Sequence, residues 1–194
     1  MKKLKITFNA PAVLGFALVS LAAVILNTVT RGAANRLLFT TYRSSPLSPL
    51  TWLRLFTHVF GHAGWEHYIG NMAYLLLLGP ALEEKYGTKR ILGVMAAAAL
   101  STGIVHALLF PNTAMCGASG IVFAFILLTS FTGFREGELP VTVILVAVIY
   151  IGQQVYNGLF VRDNVSNLSH IVGGVVGAAA GYLMNRGRRG RKRA

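Results

Sequence analysis

The sequence predicts an all-α fold: a polytopic membrane protein with six transmembrane helices. Three observations predict it. First, residues of the set AVILMFWYC make up 54% of the 194-residue chain, and charged residues only 12%. A soluble domain carries about 25% charge, so too little polar surface is left here to cover a water-soluble globule. The same figures exclude a disordered chain, which would be apolar-poor and charge-rich. Second, apolar runs of membrane-spanning length recur six times. They are continuous and do not alternate, which disfavours a closed β-barrel. Third, the net charge of +12 is concentrated at the chain ends, in Lys2, Lys3 and Lys5 and in Arg186, Arg188, Arg189, Arg191, Lys192 and Arg193. A basic tail alone would fit nucleic acid. Beside long apolar runs it points to anchoring against anionic lipid, so the bilayer is the expected partner and nucleic acid is not.

The spans fall at residues 11–29, 67–83, 91–110, 116–134, 139–161 and 168–185, against the ~17–25 residues a spanning helix needs. The first follows three lysines, as a signal peptide would. Its apolar stretch from Pro11 to Leu26 is longer than a ~7–15-residue signal core and no A-x-A cleavage site follows, so it is expected to stay as the first helix. Six spans put both ends on one side. With that side cytoplasmic, thirteen basic residues lie inside and five (Arg31, Arg36, Arg43, Arg54 and Arg162) lie outside, in accord with the positive-inside rule. The outer loop from Thr30 to Glu66 carries Pro46, Pro49, Trp52 and Trp65. A long loop with its own aromatic residues is expected to be folded and functional. Residues 1–185 therefore read as one membrane domain and 186–194 as a basic cytoplasmic tail, with no soluble second domain and no internal repeat.

Polar groups inside spans are costly and are candidates for function. The second span opens with His67 and carries Asn71 one turn on. The fourth holds Gly117-Ala118-Ser119-Gly120. The sixth opens with Ser169-His170 and continues with Gly173, Gly174, Gly177 and Gly181. These three spans run in the same direction, so His67, Asn71, Ser119 and His170 are expected at one depth. Taken singly, each has an ordinary explanation: G-x-S-G is a small-residue packing motif, and a lone histidine or asparagine serves as an interhelical hydrogen-bond partner. Together they suggest a nucleophile and its base. A serine hydroxyl is a poor nucleophile until an imidazole takes its proton. The N-terminus of a helix supplies N–H groups and dipole for a developing oxyanion, to which Asn71 and His67 would add donors. The G-x-x-x-G steps of Gly173, Gly177 and Gly181 would bring the fourth and sixth spans close enough for a Ser119–His170 hydrogen bond.

At these residues the chain resembles the rhomboid family of intramembrane serine proteases, over nearly its whole length. The resemblance implies a six-helix bacterial core, a Ser–His dyad of Ser119 and His170 with no Asp, and oxyanion partners at His67 and Asn71. The stretch Arg54-Leu-Phe-Thr-His58-Val-Phe-Gly-His62 is similar to the family's membrane-embedded first loop, and Glu83 to its acidic residue at the inner end of the second span. Three positions depart from the usual pattern. Leu53 precedes Arg54 where the family has Trp, Phe123 stands where a Tyr stacks on the histidine, and Ser169 stands where Ala is common. The implied activity is hydrolysis of a peptide bond in or near a transmembrane segment of another membrane protein. The implied substrates have a small residue before the cut and a helix that unwinds easily. The implied location is a bacterial inner membrane, with the site opening to the outer face. The alternative is a non-catalytic rhomboid-like binder or quality-control factor that holds client helices.

No cofactor is implied. His58 and His62 have metal-ligand spacing if helical, but no third ligand is obvious, so no metal site is expected. The single cysteine, Cys116, is either a reactive thiol or inert packing. His106, near the outer end of the third span, reads as interfacial packing in preference to lining a water path to the site. Gln153, Gln154 and Asn157, near the outer end of the fifth span, are either a wet face near the site or the interfacial end of a helix. A transporter is disfavoured, because Glu66, Glu83, Glu84, Glu136, Glu138 and Asp163 all fall at or near span ends.

Overall fold

A computed structural model of the chain describes residues 6–133, 140–160 and 167–186. Lys2, Lys3, Lys5, Arg135, Arg162, three of the acidic residues (Glu136, Glu138 and Asp163) and the tail from 187 onward lie outside the described residues. Among the described residues the fold is an all-α bundle, and each expected span is a helix. They are α1 (Pro11–Val29), α3 (Trp65–Tyr86), α4 (Thr88–Leu109), α5 (Ser119–Ser130), α6 (Val141–Phe160) and α7 (Asn167–Arg186). The loop after α1 holds a π-helical turn, Asn35–Phe39, and a short helix α2 (Pro49–Thr57). Both α1 and α2 begin with a proline, whose missing N–H and fixed φ suit the first helical turn.

The register of the helices can be read from their close contacts. The start of α1 is held by the end of α3: the Ala12 and Val13 N–H groups donate to the two carboxylate oxygens of Glu83 at 3.0 and 3.1 Å. The Thr88 hydroxyl donates to the same carboxylate at 2.8 Å. Glu83 is thus a buried cap for a helix 70 residues earlier in the chain, and α1 and α3 run antiparallel. By contrast α5 and α7 run parallel. Gly173 sits on Gly120, Gly177 on Ala124 and Gly181 on Phe131, in the same order along both helices. α3 is parallel to them, with His67 and Asn71 against Gly117 and Gly79 against Phe125. The N-terminal ends of α3, α5 and α7 therefore meet at one end of the bundle, as the direction of the spans predicts.

Four helices, α1, α4, α6 and α7, are long and apolar enough to cross a membrane. α3 has 22 residues but carries Pro80 and charged ends. The span expected at 116–134 begins later. Its α-helix starts at Ser119 and has 12 residues, about 18 Å at 1.5 Å each, followed by one 3₁₀ turn at Phe131–Gly133. This is short of the ~30 Å hydrocarbon layer. The cause lies just before it. Thr41 and Met115 exchange both backbone hydrogen bonds at 2.9 Å, and Gly117 N–H donates to the His58 carbonyl at 3.0 Å. Met115 and Gly117 are thereby held out of the helix with backbone groups paired to protein, as non-helical chain in a membrane protein requires.

The loop is tied down from the same side. Arg54 donates to the Leu37 carbonyl at 2.9 Å and lies 4.5 Å over the Tyr42 ring. Thr57 bonds the Leu38 carbonyl, and Asn35 donates to the His62 carbonyl at 2.8 Å. Arg54 and Leu55 face inward, while Trp52, Leu53 and Phe56 face out. Leu53, at the position that departs from the family pattern, is thus on the outer side of α2. His58 and His62 each bond a backbone carbonyl. His58 Nε2 bonds the Ala99 carbonyl at 3.1 Å, and His62 Nδ1 the Phe60 carbonyl at 3.1 Å. Burial lowers both to a pKa of about 4, so they stay neutral while the unfolded chain takes up protons near pH 6.5. These two residues stabilise the fold fully above that value, and their contribution falls away as the pH drops from about 6.5 toward 4.

Candidate active site

Ser119 is the first residue of α5 and is half-buried. No side chain caps this helix, so its leading N–H groups are left to other acceptors. Two residues earlier, Gly117 has φ +133°, a conformation open to glycine and costly for other residues. A Cβ there would also lie 2.7 Å from His67 Cε1 and 2.9 Å from His67 Nε2. The glycine lets the start of α5 press against the first two turns of α3. Asn71 Nδ2 lies 3.9 Å from the same point. It is buried, and among the described residues it has no hydrogen-bond partner. A buried amide N–H₂ without an acceptor is expensive and rare in native proteins. Its position beside a helix N-terminus is where an anionic oxygen would use it. His67 is oriented the same way. Its Nδ1 accepts the Ala63 N–H at 3.4 Å, which puts the proton of the neutral ring on Nε2, the atom facing Gly117. The His62 ring meets it edge-on at 5.1 Å.

His170 is buried in the first turn of α7. Its ring stacks on Phe123, with centroids 4.4 Å apart and planes within 6°. Phe123 is one helical turn after Ser119 on the same face of α5, so the imidazole lies over the stripe that Ser119 begins. A phenyl ring is therefore sufficient for the stacking; the hydroxyl of the family's usual Tyr is not needed for it. Three residues below His170, α7 already presses on the α5 backbone: a Cβ at Gly173 would lie 2.1 Å from the Gly120 carbonyl oxygen, and one turn on a Cβ at Gly177 would lie 2.0 Å from that of Ala124. Ser169 turns away and donates to Met115 Sδ at 2.9 Å, which is what its hydroxyl does in place of the usual Ala.

A cleft of about 280 Å³ opens beside His170, lined among others by Tyr74 of α3, Tyr150 and Asn157 of α6 and Phe123. A hollow of about 320 Å³ lies at the other end of α3, around Pro80, Glu83 and Glu84. It is lined by Glu83 and Glu84, and the Glu83 carboxylate is already engaged by the α1 N–H groups and Thr88; the smaller cleft is the one lined by His170. Of the α6 polar cluster, Gln154 is buried, with its Oε1 2.7 Å from His170 Nδ1. No pattern in the sequence joins those two residues. His106 bonds Thr113 and stacks on Phe110 at 5.4 Å, a packing role, and Cys116 is a half-buried thiol.

The bundle and the polar residues gathered at the shared ends of α3, α5 and α7 define an integral membrane protein with His67 and Asn71 against the start of α5 and His170 stacked one turn along it. Residues 49–187 match the rhomboid domain, and the chain belongs to the rhomboid family. It is 30% identical to Rhomboid-related protein 1 of Caenorhabditis elegans over 140 residues, covering 68% of this chain and 39% of that protein. It is also 30% identical to Rhomboid-related protein 2 of Mus musculus over 158 residues, 71% of this chain and 52% of the relative. Rhomboid protease GluP of Bacillus subtilis (strain 168) is 28% identical over 194 residues, 95% of this chain and 36% of that protein. The chain thus spans about a third to a half of the length of these curated relatives.

Proposed function

We propose that the protein is an intramembrane serine endopeptidase that cuts transmembrane or juxtamembrane segments of other membrane proteins. The observation that carries this reading is the His170 ring stacked on Phe123, one turn along α5 from Ser119. The Ser119 hydroxyl attacks the scissile carbonyl while His170 takes its proton. The oxyanion is held by the Ser119 N–H, Asn71 Nδ2 and His67 Nε2. His170 then protonates the leaving amine, and water, activated by the same ring, releases the acyl group from Ser119. No cofactor or metal takes part in these steps. Substrates with a small residue before the cut and a readily unwound helix suit this arrangement, because the peptide must be extended to lie against the start of α5.

Residues 1–185 form the catalytic domain in this reading, and the basic residues from 186 to 194 hold the cytoplasmic leaflet. Both termini are cytoplasmic in a bacterial inner membrane, and the site opens to the outer face, from which hydrolytic water comes. The test is a fluorophosphonate, which forms an adduct only with an activated serine beside a base and an oxyanion site. Mass spectrometry of the folded protein should map the adduct to Ser119 in the wild type and find none in His170→Ala. An adduct on Cys116, or equal labelling of both proteins, would favour the client-holding alternative.

Asn71→Ala should lower kcat with KM nearly unchanged, since its amide acts on charge that exists only in the transition state. One lost oxyanion donor costs about 10²–10³-fold, and here the loss should be toward the lower end because two donors remain. Its folding stability should hold or rise, because the variant removes a buried donor that has no protein partner. A variant changed only in KM would remove Asn71 from the oxyanion site.

A further inference from the structure

We propose that Gln154 is a positioning residue for the dyad: its amide oxygen accepts the Nδ1 proton of His170 and so holds the imidazole in the tautomer that can act as base. This rests on the protease reading above. The contact is 2.7 Å between Gln154 Oε1 and His170 Nδ1. An amide oxygen only accepts, so Nδ1 is the donor and the lone pair of the neutral ring is on Nε2. Nε2 is the nitrogen a serine hydroxyl needs. The opposite tautomer would present an N–H to the hydroxyl and accept nothing.

The placement of Gln154 argues for a specific use. α6 buries only Val143 and Gln154 among its described residues. Its neighbours Gln153, Val155 and Tyr156 are exposed. A glutamine is a costly residue to bury on a membrane helix, and an apolar side chain would fill the same space. The amide is directed at one atom of one ring. Stacking on Phe123 fixes the plane of that ring but leaves its two nitrogens undistinguished, and the bond to Gln154 distinguishes them. Serine and cysteine proteases that carry a third residue use it for this purpose, as a carboxylate or a neutral amide. In this chain the amide would come from α6, the helix that also lines the cleft beside His170. The base is then correctly set only while α6 is docked.

The experiment uses the full chain in detergent with a single-span substrate and compares wild type, Gln154→Leu and Gln154→Glu. Gln154→Leu removes the acceptor and keeps the bulk. Its kcat should fall about 10–10²-fold, the usual value of a hydrogen bond to a group that becomes charged, with KM nearly unchanged and fluorophosphonate labelling slowed by the same factor. When ionised, the glutamate of Gln154→Glu is an acceptor only, as the Nδ1 proton requires. It should recover most of the lost rate and move the acid limb of kcat/KM to higher pH, because a carboxylate favours the imidazolium. Of the side chains lining the cleft, His170 is the one of a type that ionises in that range. Wild-type kcat in Gln154→Leu, a change confined to KM, or a Gln154→Glu enzyme with an unmoved limb would each overturn the assignment. If Gln154→Leu fails to fold, the Gln154→Glu profile decides alone. A wild type that neither cleaves nor is labelled would defeat the protease reading itself. An active wild type beside an unaffected Gln154→Leu defeats only the role of Gln154.

Discussion

Ser119→Ala is expected to remove cleavage of a single-span substrate and leave the bundle folded. The side chain begins α5 and is half-buried. Alanine is the best helix former, and the serine hydroxyl caps nothing here. The change therefore deletes the proposed nucleophile at little structural cost. In a serine protease that acts through a hydrogen-bonded unit, loss of the nucleophile lowers kcat by on the order of 10⁶-fold, and loss of the base costs about as much. His170→Ala should match it, and the double variant should be no worse than either single one. The measurement is substrate cleavage followed over hours, with helical content and melting temperature recorded on the same samples. Turnover in Ser119→Ala within a few-fold of wild type, or losses that multiply in the double variant, would mean that the two residues do not work together.

The existence and direction of the spans were legible because hydropathy is continuous along them and a chain that crosses a membrane must alternate direction. Parity alone puts His67, Asn71, Ser119 and His170 at one end of the bundle, and there the structure brings His67 and Asn71 against Gly117 and stacks His170 on Phe123. What hydropathy does not carry is any backbone interruption set by distant residues. The span read as starting at 116 begins its helix at Ser119, because Met115 pairs with Thr41 and Gly117 with His58. Those partners are more than fifty residues away and leave no local signal. The capping of α1 by Glu83 is hidden for the same reason. Gln154 was visible as a polar residue in a span, but its meeting with His170 depends on how α6 rotates and docks against α7. The polarity of α6 does not reveal that rotation, since many of its apolar side chains are exposed while the polar Gln154 is buried.

Gly173→Ala should disable the enzyme although it adds a single methyl group, and Gly174→Ala, one residue on, should not. At Gly173 the new carbon would lie 2.1 Å from the Gly120 carbonyl oxygen and 2.8 Å from its carbon. Both are backbone atoms of α5, so no side chain can rotate away, and α7 itself must move. Overpacking of this kind costs about 1–3 kcal/mol, and more where nothing relaxes. The displacement falls one turn from His170, whose ring must stay on Phe123 to lie along the Ser119 stripe. A shift of about 1 Å in a catalytic group can cost about 10²-fold. At Gly174 the same carbon would meet Leu127 Cδ2 at 3.5 Å, an ordinary contact, and the helix would gain up to about 1 kcal/mol from losing a glycine. Melting temperature and the rate of fluorophosphonate labelling on Ser119 distinguish the two variants. Gly173→Ala should lose both, and Gly174→Ala should keep its labelling rate with an equal or higher melting temperature. Because the two substitutions are chemically identical and adjacent, their divergence would isolate the α5–α7 contact as what holds base and nucleophile in register. Equal labelling in both would show that the dyad tolerates separation of these helices, and close packing at Gly173 would then serve stability alone.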